Sequence, residues 1–508
     1  MNLPSRVRSF LKKLFRINTS SFLISRQKFK TSLRCEKLFW EQSKNNLSNA
    51  HYLELLQYKD LIQLNRKLYP DAIELKSYKS NYSFTKTLEA LKNRKPTFNT
   101  HFQVEDLNSK TDLLVPSEKE NFWNIIEIKF SPNIKQLDYY DIAFQKYVIE
   151  LSGFKIDTCI IKTINPNYLF VDNNIEPEQF YKNTDVTKRI EGIFQSIPGK
   201  LERLKAIYKS TKSPQNRGCK NPTKCIYPNV CWDNLQDSDI FQLREGKDLS
   251  YDLYTNQGIH YITDIPQDVE LSDIQKLQFE AHKTKSPYIN HEMIAQFIEK
   301  IKFPVYFLDF ETINPPLPIF INSKPFQHVP FQYSLHILQS PDSEPVHHQY
   351  ICEMDNNNPR IEILDNLRKL IYPEGTILCF NDAFEKKCLK EAVAFHKEFE
   401  PWYKSILPMF LDLAIPFKYF YYYHPEQKGK ASLKAILPVM TDESYKNLKI
   451  QDGHGANQEY LRIRSGKSSF LETEKVKKRL LLYCKMDTYA LFLVMRELRK
   501  LCLKTKED

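Results

Sequence analysis

The chain has 508 residues, too many for one ordinary hydrophobic core, so two or more domains are expected. Its 42% hydrophobic and 27% charged residues are normal for a soluble globular protein, and no run of roughly 18 apolar residues offers a membrane span. The net charge of +11 fits a polyanionic partner, nucleic acid first, with a solvated lysine-rich surface as the alternative.

No acidic residue precedes Glu36, and Arg6, Arg8, Lys12, Lys13 and Arg16 alternate with Val7, Phe10, Leu11, Leu14 and Phe15. This predicts a short basic amphipathic arm over residues 1–21, read as solvated, with a membrane-surface helix or a transit-like segment as alternatives. It lacks the continuous apolar core of a secretory signal, so a cytoplasmic location is expected and the ten cysteines are not expected to form a disulfide framework.

Residues 25–70 carry helical spacing. The pattern turns to strands in "HFQVEDL", "TDLLV" and "FWNIIEIKF", with "VPSEKEN" as a hairpin loop between the last two. Helical spacing returns over 138–152, "IDTCIIKTI" predicts a buried strand, and 187–208 predicts a helix. A Pro/Gly/Asn/Cys-rich stretch follows at 213–231, and 236–300 has short helices, expected as a helical connector. A second α/β unit starts at "FPVYFLDFET" and continues with strands "FQYSLHIL" and "HHQYICEM". A helix at 359–371, a strand "TILCF" and a largely helical remainder complete it.

Two constellations carry chemistry. An antiparallel pairing of "TDLLV" with "IIEIK" brings Asp112 near Glu127, and strand alternation puts Lys129 on the face of Glu127. Two carboxylates suit a hard divalent cation, and a lysine beside them can orient a water or offset developing charge. Alone, an E-x-K pair is more often a surface ion pair on a strand. Gln145 and Tyr147 follow on a helix, about one turn beyond Asp141, and His101 is the nearest upstream candidate. In the second, "FLDFET" puts Asp309 and Glu311 on one strand face, "ILCFNDAFEKKCL" offers Glu385 with Asp382 as its competitor, and Tyr483 and Asp487 share a helix face at a spacing of four. Buried carboxylates need a partner or a metal. Lys434 in "GKASLKAILP" is a candidate phosphate contact. Between the two, "CKNPTKCIYPNVCW" spaces Cys219, Cys225 and Cys231 evenly in a loop, a metal or cluster site short of one ligand that Cys35 can supply.

These motifs resemble known families. The E-x-K strand followed by a glutamine-bearing helix looks like a RecB-type PD-(D/E)XK nuclease, which implies Asp112 and Glu127 as metal ligands with Lys129 and Gln145 as catalytic partners. One cysteine before that core and three after it match its iron–sulfur branch, implying a 4Fe-4S cluster on Cys35, Cys219, Cys225 and Cys231, with zinc as the alternative metal. The later motifs resemble the DEDD exonucleases of the RNase H-like fold, implying Mg2+ or Mn2+ on Asp309, Glu311, Glu385 and Asp487, and Tyr483 positioning the attacking water. The departure is Glu385, where that family usually has aspartate. Over about 22–500 the chain is similar to a bacterial family that fuses these two domains. The expected architecture is α/β (α+β): a basic arm 1–21, a RecB-like PD-(D/E)XK nuclease 22–235, a helical connector 236–300 and an RNase H-like exonuclease domain 301–500. The resemblance implies a metal-dependent DNA nuclease in repair, processing or defence. The alternatives are a nucleic-acid-binding protein with a degenerate exonuclease domain, or an RNA-processing exonuclease. A helicase partner is conceivable but no residue points to one.

Overall fold

The computed structural model describes residues 23–44, 57–75, 80–172, 174–214, 225, 232, 235, 238–354 and 357–504, with backbone alone at 80–83, 503 and 504. The basic arm expected over 1–21, and Cys219 and Cys231, lie outside the described residues. The chain is mixed α/β and forms two compact units: Met1–Cys219 with Pro316–Pro318 and Lys324–Phe326, and Lys220–Pro315 with Ile319–Ser323 and Gln327–Asp508. No helix among the described residues is long and apolar enough to cross a membrane.

The first unit is built on one sheet of seven strands: β1 (Ile24–Ser25), β2 (Ile73–Glu74), β3 (Thr97–Val104), β4 (Leu107–Pro116), β5 (Phe122–Lys129), β6 (Lys155–Ile164) and β7 (Tyr181–Asp185). They run β2-β3-β4-β5-β6-β7, with β1 parallel on β4. Strands β3, β4 and β5 form an antiparallel meander, and β6 then lies parallel to β5 after the crossing helix Gln136–Leu151. Alternation divides the meander between two cores. Ile125 joins the core with Phe144 and Val148 of that helix, and Ile126 packs on the other face with Phe98 and Leu113. Glu127 and Lys129, in step with Ile125, therefore point toward the helix. "HFQVEDL", expected as one strand, is strand over His101–Val104 at the end of β3 and then turns: Glu105 takes φ 50° and β4 begins at Leu107. The helical stretch expected from residue 25 is interrupted at Cys35, which separates the helices Arg26–Arg34 and Glu36–Lys44.

The second unit has a five-strand sheet in the order β11-β10-β9-β12-β13 and a two-strand pair. In chain order the strands are β8 (Tyr288–Ile289), β9 (Val305–Ile313), β10 (Val329–Leu338), β11 (Val346–Ile351), β12 (Thr376–Cys379), β13 (Phe410–Asp412) and β14 (Tyr422–Tyr423). Strand β9 is central, antiparallel to β10 and parallel to β12. Both its faces are covered. Val305 and Phe307 face the core that includes Leu480, Leu491 and Val494 of the long helix Phe470–Lys504. Tyr306, Leu308 and Phe310 face the helices Pro359–Leu370 and Ala383–Phe395. The segment expected as a connector belongs to this unit; it holds a small core of Ile240, Leu243, Leu253, Ile262 and Ile265, and its β8 pairs with β14.

Candidate metal centres

In the first unit, Leu113 pairs with Ile126, so the next step along the β4–β5 ladder sets Asp112 opposite Glu127. Asp112 Oδ2 accepts from the Ile128 backbone N–H at 2.9 Å, which fixes its carboxylate at the strand. Glu127 is buried; its Oε1 accepts from Lys129 Nζ at 2.8 Å and its Oε2 from Gln145 Nε2 at 2.9 Å. Sequence reading missed Asp141, Arg26 and Lys30 as members of this cluster. Asp141, fully buried one turn before Gln145, meets Lys30 Nζ at 2.9 Å and Lys129 Nζ at 3.2 Å. Arg26, on the first turn of the helix Arg26–Arg34, donates through Nη2 to Glu127 and to Asp141 Oδ2 at 2.7 Å, through Nε to Asp141 Oδ1, and through Nη1 to the Lys110 carbonyl at 2.9 Å.

Burial and the Asp112 charge push the Glu127 carboxyl up to about 7, against the pull of Arg26. At Asp141 burial acts upward too, but the hydrogen bond and charge of Arg26, with Lys129 and Lys30, outweigh it and hold the carboxyl below its usual range. Burial works against the charge on Lys129, yet Glu127 and Asp141 raise its pKa overall. As arranged, this cluster does not fit a divalent ion: Arg26 and Lys129 already hold the carboxylates of Glu127 and Asp141. Two earlier candidates are elsewhere engaged. Tyr147 packs in the core with its ring centroid 6.0 Å from that of Phe194, and His101 Nε2 lies 3.0 Å from Asn108 Oδ1 across the β3–β4 hairpin.

In the second unit, Asp309, Glu311, Glu385 and Asp487 line one cavity of about 530 Å3, together with Lys434 and Tyr483. Asp309 and Glu311 follow Phe307 on the β9 face turned to the long helix, which carries Tyr483 and Asp487 one turn apart. Glu385 enters from the first turn of the helix Ala383–Phe395. Asp382, its competitor, is absent from the described lining residues and pairs with Lys386 at 2.6 Å. Tyr445, not anticipated, donates to Asp487 Oδ1 at 2.7 Å. Lys434 Nζ reaches the Tyr483 hydroxyl at 3.2 Å, 5.5 Å and 5.2 Å from the ring centres of Tyr445 and Tyr483. Cys484, also unanticipated, lies with Sγ 3.5 Å from Asp309 Oδ2, and its sulfur and a carboxylate oxygen each from Asp309 and Glu311 fall within 4.8 Å of one another.

The electrostatics differ from those of the first unit. Burial first, then Asp487, raises the pKa of both Asp309 and Glu311 well above the carboxylate range. Burial pushes Glu385 up to about 8 and Asp487 up to about 6, the latter despite the Tyr445 hydrogen bond. Glu385 Oε2 is buried and has no hydrogen-bond partner among the described residues, and Lys434 is the one lysine or arginine among the described lining residues. Like charges crowded together with an oxygen left over fit a divalent cation, since oxygen donors are what Mg2+ and Mn2+ prefer.

Residues 306–432 match the model of a domain of unknown function, DUF2779. The matched segment contains Asp309, Glu311 and Glu385 and stops short of Lys434, Tyr483 and Asp487. No curated protein matches the chain.

Proposed function

We propose that the chain is a metal-dependent nuclease that hydrolyses DNA phosphodiester bonds, with an RNase H-like exonuclease centre in the second unit and a PD-(D/E)XK-like fold in the first, whose Glu127 and Asp141 carboxylates are held by Arg26 and Lys129 rather than left open to a cation. The observation that carries this reading is the convergence of Asp309, Glu311, Glu385 and Asp487 on one cavity with Tyr483 and Lys434. Four carboxylates from β9 and two helices would hold divalent cations, which when bound polarise the phosphate and stabilise the entering and leaving oxygens. The chain's own groups do the rest. Tyr483 orients a water by its hydroxyl, Lys434 holds that hydroxyl and places positive charge beside the phosphate, and Tyr445 fixes Asp487. A net charge of +11 supports a polyanionic substrate.

The test is Mg2+- or Mn2+-dependent degradation of end-labelled single- and double-stranded DNA and RNA. Wild type is compared with Asp309→Ala/Glu311→Ala and with Glu127→Ala/Lys129→Ala. Loss of activity in the first double variant, with DNA preferred over RNA, is expected. Full activity in both variants overturns the assignment, and faster RNA degradation replaces the substrate.

A further inference from the structure

The proposed hydrolysis leaves one reactive group of the second unit without a role. Cys484 is fully buried on the long helix Phe470–Lys504, three residues before Asp487. Its Sγ lies 3.5 Å from Asp309 Oδ2 and 3.9 Å from the Asp309 carbonyl oxygen. That sulfur and one oxygen each of Asp309 and Glu311 stand within 4.8 Å of one another. Buried cysteines usually pack among apolar side chains as small hydrophobes, whereas this one abuts a carboxylate, to which its thiol donates weakly. The same spacing suits a shared ion. A tetrahedral Zn2+ holds sulfur at about 2.3 Å and carboxylate oxygen at about 2.0 Å, which sets the sulfur–oxygen edge at about 3.5 Å. A second observation points to a cation here: Glu385, 3% exposed, lines the adjoining cavity and keeps Oε2 without a hydrogen-bond partner among the described residues. Cys484 is not among the described residues that line this cavity, so its sulfur is met past the Asp309 carboxylate.

We propose that Cys484 makes the second-unit centre selective for zinc: Zn2+ takes the Cys484 sulfur with one oxygen each of Asp309 and Glu311, and so displaces the Mg2+ or Mn2+ that hydrolysis needs. The proposal rests on reading Asp309 and Glu311 as cation ligands. Binding forms a zinc–sulfur bond and breaks the S–H bond, and the proton leaves to solvent with no change of oxidation state. The preference follows from ligand softness. Thiolate suits Zn2+, while Mg2+ and Mn2+ are served by carboxylate, carbonyl and water oxygens. Removing the sulfur therefore takes a ligand from Zn2+ and none from Mn2+.

The experiment loads the full chain with Mn2+ and follows its release by the return of the free-ion paramagnetic resonance signal. A zinc-selective chelator buffer fixes free Zn2+, so that the chain's other cysteines do not deplete it. Asp309→Ala/Glu311→Ala identifies the Mn2+ that belongs to this centre. Cys484→Ser should keep its Mn2+, and the free Zn2+ needed to release it should rise on the order of a hundredfold, since even outer partners of a metal ligand cost about 10–100-fold in affinity. Cys484→Ala should shift alike, which separates a lost sulfur from an added hydroxyl. Release at the same free Zn2+ in wild type and both variants overturns the proposal and leaves the carboxylates as cation ligands. Loss of Mn2+ binding in both Cys484 variants overturns it too, because the sulfur would then serve every cation. No Mn2+ bound by wild type, or none lost in Asp309→Ala/Glu311→Ala, overturns the reading of these acids as ligands and the proposal with it.

Discussion

Glu385→Gln tests the electrostatics of the second-unit cavity directly. The carboxyl lies 3% exposed, with Oε2 unpartnered, and burial pushes it from the ordinary 4.5 up to about 8. A raised carboxyl binds its proton more tightly in the folded chain than in the unfolded one. Stability is therefore lost as pH rises from about 4.5 to about 8 and is flat above. At about 1.36 kcal/mol per pH unit, the penalty near pH 7.5 is bounded by about 4 kcal/mol, and relaxation of the cavity should leave about 2. Glutamine keeps the shape of the protonated acid and removes the charge. In EDTA, urea unfolding of Glu385→Gln should thus show a stability gain of about 2 kcal/mol at pH 7.5 that disappears near pH 4.5. Added Mn2+ should reverse the order at pH 7.5, because the cation stabilises wild type more than the variant. A variant no more stable than wild type at pH 7.5 in EDTA, or a gain that persists unchanged at pH 4.5, refutes the claim that burial holds the Glu385 carboxyl above its ordinary range without a bound cation.

Other expectations follow from the same geometry. Tyr445→Phe removes the donor to Asp487 Oδ1 and should lower cleavage about tenfold, the usual effect of losing a group that orients a ligand; unchanged kcat/KM would remove Tyr445 from the centre. Asp141→Asn leaves Arg26, Lys30 and Lys129 short of their buried counter-charge and should cost about 3 kcal/mol, read from urea unfolding at neutral pH; a neutral result would mean that Glu127 alone suffices. The cysteine spacing predicts iron in anaerobically purified protein, and a colourless, iron-free preparation containing zinc would refute the cluster.

What could be read in advance followed from local order. Asp309 and Glu311 are two apart on a strand, and Tyr483 and Asp487 four apart on a helix, so a single element sets each pair on one face. Gln145 likewise meets Glu127 from the helix that follows the strand. Arg26 was hidden because its partners lie 101 and 115 residues away, and only the packing of its helix brings them together. Asp141 did leave a signal: it stands one turn before Gln145 on the same helix face, the spacing that delivers both side chains to one strand. Tyr445 and Cys484 left none. A tyrosine in a polar loop and a cysteine between two helix positions already assigned to other roles have no periodicity that distinguishes them from core.

The two clusters answer the same physical problem differently. Buried carboxylates must be neutralised, by protons, by internal cations or by a bound ion. In the first unit the chain supplies the cations, and the consequence is an Asp141 carboxyl held low by Arg26 despite its burial. In the second it supplies Lys434, whose ammonium is directed to the Tyr483 hydroxyl, and the consequence is four carboxyls all displaced upward. A cation added from solution therefore gains most at the second cluster, where it relieves repulsion, and least at the first, where it must first break a guanidinium fork. Mn2+ titrated into the full chain should accordingly bind at the second cluster, and Asp309→Ala/Glu311→Ala should remove that binding.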